Sequence, residues 1–111
     1  MPIYELSSDD FIFPHPSLAE ENGLLAFGGD LDPQRLLQAY ANGIFPWYSE
    51  GDPIMWWSLD PRMVLFPEEF KVSKSLRRLI RKQKFEVTLN YNFKDVISYC
   101  ASVPRFNQAG T

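Results

Sequence analysis

Between Gly43 and Pro67 the chain reads GIFPWYSEGDPIMWWSLDPRMVLFP, in which Phe45, Trp47, Tyr48, Trp56 and Trp57 are set among three prolines before the closing Phe66-Pro67. Proline fixes its own φ, has no N–H to donate, and pushes the residue before it out of the helical region. A stretch interrupted in this way must fold as short extended pieces joined by turns, with its rings as plugs. The bias extends to the whole chain, which holds nine Pro and 15% aromatic residues and so favours a loop-rich fold over a plain helical bundle. At 111 residues, 45% hydrophobic and 23% charged, it suffices for one compact domain, or a small domain and the opening of a second. Such a composition excludes a disordered tail, collagen and a coiled coil.

Local signals place the elements. Ile3 to Leu6 reads as extended, and Pro14 and Pro16 hold FIFPHPSLA on an extended or polyproline path. Asn22-Gly23 marks a turn, Leu24 to Phe27 a short buried strand, and Gly28-Gly29 its end. Asp32 as cap, Pro33 at the first helical position, apolar Leu36, Leu37 and Tyr40, and Gly43 as a left-handed stop predict a helix. Ile54 to Trp57 and Met63 to Phe66 read as strands. Ser73 caps a second helix to about Gln83, with Leu76, Leu79 and Ile80 as its apolar stripe. Phe85, Val87 and Leu89 alternate with Glu86 and Thr88 as in a half-buried strand, and Asn92 caps a third helix from Phe93 to about Ala101. The pattern is α+β. The Asp60-Pro61 turn and a change of charge sign soon after it suggest a boundary near residues 60–66, giving domains 1–61 and 62–111.

Charge is divided along the chain. Residues 1–70 hold twelve acids against two bases, Arg35 and Arg62, a net of −10; residues 71–111 hold nine bases against two acids, a net of +7. Seven of the nine bases lie in KVSKSLRRLIRKQK, Lys71 to Lys84, so the overall charge of −3 conceals a concentrated positive field. On a helix Lys74, Arg78, Arg81 and Lys82 share a face, flanked by Arg77 and Lys84. Like charges at these spacings oppose the helix by a few tenths of a kcal/mol per pair. An anionic partner reverses that sign, and with no acid between Lys71 and Gln83 a phosphate surface, RNA backbone above all, stands level with a merely solvated face.

Most catalytic templates are missing. Cys100 is the single cysteine and His15, between two prolines, the single histidine; His15 reads as a loop residue, and no His/Cys metal spacing occurs. Gly28-Gly29-Asp30 lacks the rest of a phosphate loop and reads as a tight turn into the helix. Asp52 and Asp60 read as solvated turn acids. Aromatic planes can stack on an unpaired base, wall an apolar pocket, or fill a small core. Composition favours the core for most of the cluster and leaves Trp47, beside the acidic turn Ser49 to Asp52, as the ring to expose. A lone cysteine, no basic leader and no long apolar stretch point to the cytoplasm and away from membranes.

Several collinear runs resemble the leucyl/phenylalanyl-tRNA–protein transferases: GLLAFGGDL at Gly23–Leu31, LLQAY at Leu36–Tyr40, GIFPWY at Gly43–Tyr48, PIMWWSLDPR at Pro53–Arg62 and SKSLRR at Ser73–Arg78, continuing through FEVTLNYNFKDVISYCA to Gly-Thr. The resemblance implies a small N-terminal α/β domain followed by the opening β-α-β-α portion of an acetyltransferase-like domain. It implies an aminoacyltransferase that moves Leu or Phe from aminoacyl-tRNA to the N-terminal Arg or Lys of proteins and marks them for degradation in the N-degron pathway. On this likeness Trp47 meets the aminoacylated 3′ end, and Lys74, Arg78, Arg81 and Lys82 receive the tRNA body. No cofactor and no metal is implied. The family's proton-relay acids and amino-acid pocket lie beyond Gly-Thr, so no catalytic residue is expected here and the chain alone is expected to be inactive. A noncatalytic RNA-binding module using the same helix and loop is the alternative, and a purely structural domain a third.

Overall fold

A computed structural model describes residues 3–107. The chain divides between Val64 and Leu65 into two compact units, each taken by itself below. The architecture is α+β.

The first unit is built on a four-stranded mixed sheet of order β1-β2-β4-β3, with β1 Tyr4–Leu6, β2 Leu24–Gly28, β3 Phe45–Pro46 and β4 Met55–Trp57. β1 runs parallel to β2, pairing Tyr4 with Ala26 and Leu6 with Gly28. β4 runs antiparallel to both β2 and β3. The register of β2 on β4 shifts between Leu24 and Ala26. A bulge of this kind interrupts strict alternation, and Leu25 and Ala26, adjacent in sequence, are both buried. With Leu6, Ala39, Ile44 and Trp56 they form the core. Trp56 is fully buried, meets Phe13 edge to face with ring centroids 4.9 Å apart, and donates its indole N–H to Gly28 O at 3.0 Å. Its one polar group is thereby satisfied inside the core.

Helix α1, Pro33–Ala41, begins and ends on the residues the sequence nominates. Asp32 Oδ1 accepts from Gln34 N at 2.8 Å. At the other end Gly43, at φ +72°, donates to Tyr40 O, and Ile44 N donates to Ala39 O at 2.9 Å. This is a Schellman closure, and it carries buried Ile44 back toward buried Ala39. The inward face differs from the Leu36-Leu37-Tyr40 stripe. Leu37 and Tyr40 are 72% and 64% exposed, while Arg35 and Ala39 are fully buried.

The cause is the environment of Arg35. Its Nη2 donates to Ser7 O and Asp10 O, each at 2.7 Å, its Nε donates to Asp30 Oδ1 at 3.0 Å, and its guanidinium lies 5.4 Å from the Phe11 ring centre. Nε and Nη2 find acceptors while Nη1 is left without one, and with most of its polar edge so engaged the buried cation holds the 7–11 segment. Gly29 makes room for it. A Cβ there would come within 3.0 Å of Arg35 Cζ, on a backbone at φ +70°.

Asp30 also accepts from Asp32 N at 3.0 Å. The hydrogen bond from Arg35 first, and that from Asp32 next, hold its carboxyl below the usual carboxylate range against a smaller opposing effect of burial. A lowered folded pKa stabilises the fold fully above the unfolded value and is lost as pH falls through the folded one. On acidification from neutral pH, the urea midpoint of the wild-type chain should therefore fall more steeply than that of Asp30→Asn. Equal slopes in tryptophan fluorescence would remove Asp30 from the acid limb.

Within the segment expected on an extended or polyproline path, Pro16–Leu18 makes a 3-10 turn between extended His15 and Ala19, and His15 Nδ1 accepts from Ser17 N at 3.2 Å. His15 is thus a local cap in a loop.

The second unit holds a 3-10 turn at Pro67–Glu69, helix α2 at Lys74–Arg81 and helix α3 at Phe93–Ser102. Ser73 Oγ caps α2 by accepting from Leu76 N at 3.1 Å, whereas Asn92 makes no side-chain cap bond. Two expected strands are not formed. Residues 63–66 and 85–89 carry no ladder, and Met63, Val87 and Leu89 are almost fully exposed. A strand exists only through a neighbour's N–H and C=O groups, and neither segment finds one among the described residues. From Leu65 onward every described residue is exposed except the half-buried Val72.

Candidate nucleic-acid interface

Helix α2 arranges the basic run as its periodicity dictates. Lys74, Arg78, Arg81 and Lys82 come together around one open concavity of about 410 Å³, and Arg77 joins them. Arg77 stands three residues after Lys74, the other helical neighbour spacing, which is the signal that places it there. Lys84 does not line this surface; its Nζ lies 5.7 Å from the Phe85 ring centre. All five lining cations are exposed, and among the described residues no ion pair engages any of them. The nearest acids in sequence, Glu69 in the preceding 3-10 turn and Glu86 after the helix, both lie outside α2. Five cations on little more than two helical turns form a surface whose repulsion an anion would relieve.

In the first unit, the aromatic cluster separates into inner and outer rings. Trp56 is buried and Phe45 and Trp57 half-buried, while Tyr48 and Trp47 face outward, Trp47 being 64% exposed. The loop that presents Trp47 is held at several points. Gly43 O accepts from Arg62 Nη2 at 2.9 Å and from Ser58 Oγ at 3.3 Å, and the Arg62 guanidinium lies 5.3 Å from the Phe45 ring centre. Trp47 N donates to Met55 O at 3.0 Å, and Trp47 O accepts from Trp57 Nε1 at 2.7 Å. Beyond it, Asp52 N donates to Ser49 O and Asp52 Oδ2 accepts from Ser49 N, closing the acidic turn. Asp52 is thus a turn residue by its bonds as well as by its neighbours.

A second concavity, about 680 Å³, lies between Phe11–Pro16 and the outer side of α1, where exposed Leu37 and Ile12 contribute to its lining. Sequence reading missed it because it is made by Leu37 turning away from the core. Among the described residues no group of His, Cys, Asp and Glu could hold a metal ion, and no helix is long and apolar enough to cross a membrane. The arrangement therefore offers phosphate attraction on one unit and an exposed, backbone-anchored indole on the other.

Comparison with known proteins gives a consistent result. Residues 29–60 match the model of the leucyl/phenylalanyl-tRNA protein transferase N-terminal domain, and residues 64–111 match that of leucyl/phenylalanyl-tRNA protein transferase. The leucyl/phenylalanyl-tRNA–protein transferase of Desulfatibacillum aliphaticivorans is 55% identical over 111 residues, which is 100% of this chain and 47% of the relative. That of Flavobacterium johnsoniae is 57% identical over 102 residues, covering 92% and 48%. That of Yersinia enterocolitica is 57% identical over 105 residues, covering 93% and 44%. The chain spans about half the length of the curated relatives it matches.

Proposed function

Since the chain belongs to the leucyl/phenylalanyl-tRNA protein transferase family, we propose that it supplies the aminoacyl-tRNA-binding part of such an enzyme. The single observation that carries this reading is the α2 surface, where Lys74, Arg77, Arg78, Arg81 and Lys82 share one concavity with no acid opposing them among its lining residues. Phosphates of the tRNA body lie against these cations. Trp47 stacks at the unpaired, aminoacylated 3′ end, as exposed aromatic rings do with single-stranded bases.

The reaction so served is aminolysis of an ester. The α-amine of a protein beginning with Arg or Lys attacks the carbonyl carbon of the leucyl or phenylalanyl ester, and the tRNA departs through its ribose oxygen. Positioning the two reactants and removing one proton are the main requirements. Trp47 and the α2 cations serve the first. We assign the second to no residue of this chain. The setting is the cytoplasm, and the product enters the N-degron route. The family match leaves the reading as an unrelated RNA module without support.

Incubated with phenylalanyl-tRNA and an Arg-initiated peptide, the chain is expected to bind the tRNA in a salt-sensitive manner and to form no peptide bond. Product above background would place catalytic groups in this chain. Absence of salt-sensitive tRNA binding in a filter assay would overturn the assignment of α2.

A further inference from the structure

Trp47 combines an exposed side chain with a tightly tethered backbone, and the tether comes from another tryptophan. The β3–β4 ladder pairs Phe45 with Trp57 and Pro46 with Trp56. Pro46 stands at the non-hydrogen-bonded position opposite Trp56, on the edge strand, where its missing N–H costs the ladder nothing. Trp57 adds a bond from its side chain: its Nε1, the only polar atom of the indole, donates to Trp47 O at 2.7 Å, at the short end of the range for N–H···O. With Trp47 N on Met55 O, both backbone polar groups of Trp47 are bonded to β4 residues. Upstream, Arg62 holds Gly43 O and covers the Phe45 ring, so the strand enters from a second anchored point.

We propose that Trp57 is a positioning residue, which fixes the backbone of Trp47 so that its indole faces the 3′ end of the tRNA already oriented. The proposal rests on the reading of Trp47 given above. Fixing a side chain in its bound orientation removes an ordering cost that would otherwise weaken binding by about three- to tenfold.

The test uses the full chain and two RNA hairpins. One ends in an unpaired CCA carrying phenylalanine through a hydrolysis-resistant amide, and the other is the same duplex without the CCA. Trp57→Phe keeps an aromatic ring and removes the N–H. It is expected to bind the charged hairpin about three- to tenfold more weakly, to bind the blunt hairpin as the wild type does, and to raise the mobility of the Trp47 indole N–H in ¹⁵N relaxation. Thermal unfolding of the first unit, followed in parallel, shows that the variant is folded. Trp47→Ala is the control. If Trp47→Ala weakens the charged hairpin and folded Trp57→Phe does not, the positioning role is overturned while the stacking role stands. If Trp47→Ala binds like the wild type, stacking itself is wrong and Trp57 positions nothing. A Trp57→Phe loss equal on both hairpins would also overturn the proposal, because it would reflect general damage.

Discussion

Changing Lys74, Arg78, Arg81 and Lys82 together to Ala is expected to remove most of the salt dependence of tRNA binding. Each phosphate neutralised releases condensed counterions, and the logarithm of affinity falls with that of salt by about 0.7 to 0.9 per contact. Four contacts therefore account for a slope of about 3 and for roughly a 10²-fold loss of wild-type affinity between about 50 and 200 mM salt. The variant should retain a slope near that of a single contact, since Arg77 still lines the surface. The helix itself should survive. Alanine is the best helix former, and removal of Lys74–Arg78 and Arg78–Lys82, like charges one turn apart, relieves a few tenths of a kcal/mol per pair. Unchanged far-UV circular dichroism with a collapsed salt slope is the expected combination. A slope equal to that of the wild type would mean that these side chains do no more than solvate α2.

The second large effect is on stability and comes from Arg35. Its substitution by Ala removes a fully buried guanidinium and leaves Ser7 O and Asp10 O without that donor. Hydrogen bonds to a charged group contribute about 1.5–3 kcal/mol each, and Arg35 makes three, while a unit of this size has only about 3–10 kcal/mol in total at ordinary stability per residue. Arg35→Ala should therefore leave the first unit largely unfolded or lower its urea midpoint steeply. Arg35→Lys should rescue it only in part, because one ammonium cannot reproduce the planar fork that spans Ser7, Asp10 and Asp30. A midpoint for Arg35→Ala close to the wild-type value would show that α1 is held by apolar packing alone.

Arg35 also marks where sequence reasoning stopped. The caps of α1 were readable because Asp32, Pro33 and Gly43 act through their own backbone neighbours, and all three do what their chemistry implies. The helix's orientation was not readable. Leu36, Leu37 and Tyr40 form an acceptable apolar stripe, and only the carbonyls of Ser7 and Asp10, more than two dozen residues upstream, make it better to bury Arg35 and expose Leu37. The bulge in β2 is of the same kind. LLAFG reads as a buried run, and Leu25 and Ala26 are both buried, but where that run shifts register is set against β4.

The candidate surfaces divide in the same way. Lys74, Arg78, Arg81 and Lys82 converge by helical period alone, so their grouping was legible as written. Exposure of Trp47 follows from its turn, but its anchoring by Trp57 depends on a bond between residues ten apart, from one side of the β3–β4 pair to the other. The alternation in FEVTL was a sound strand pattern, yet in this structure it finds no partner and forms no strand.

The sequence by itself determined where helices start and stop, which cations share a face, and how charge is divided, since those properties arise within a few bonds or one helical turn. Tertiary structure alone decided which face of α1 is buried, how β2 registers on β4, what holds Trp47, and whether alternating segments become strands. Each of these depends on donors and acceptors supplied by residues distant in sequence, and no local pattern carries their positions.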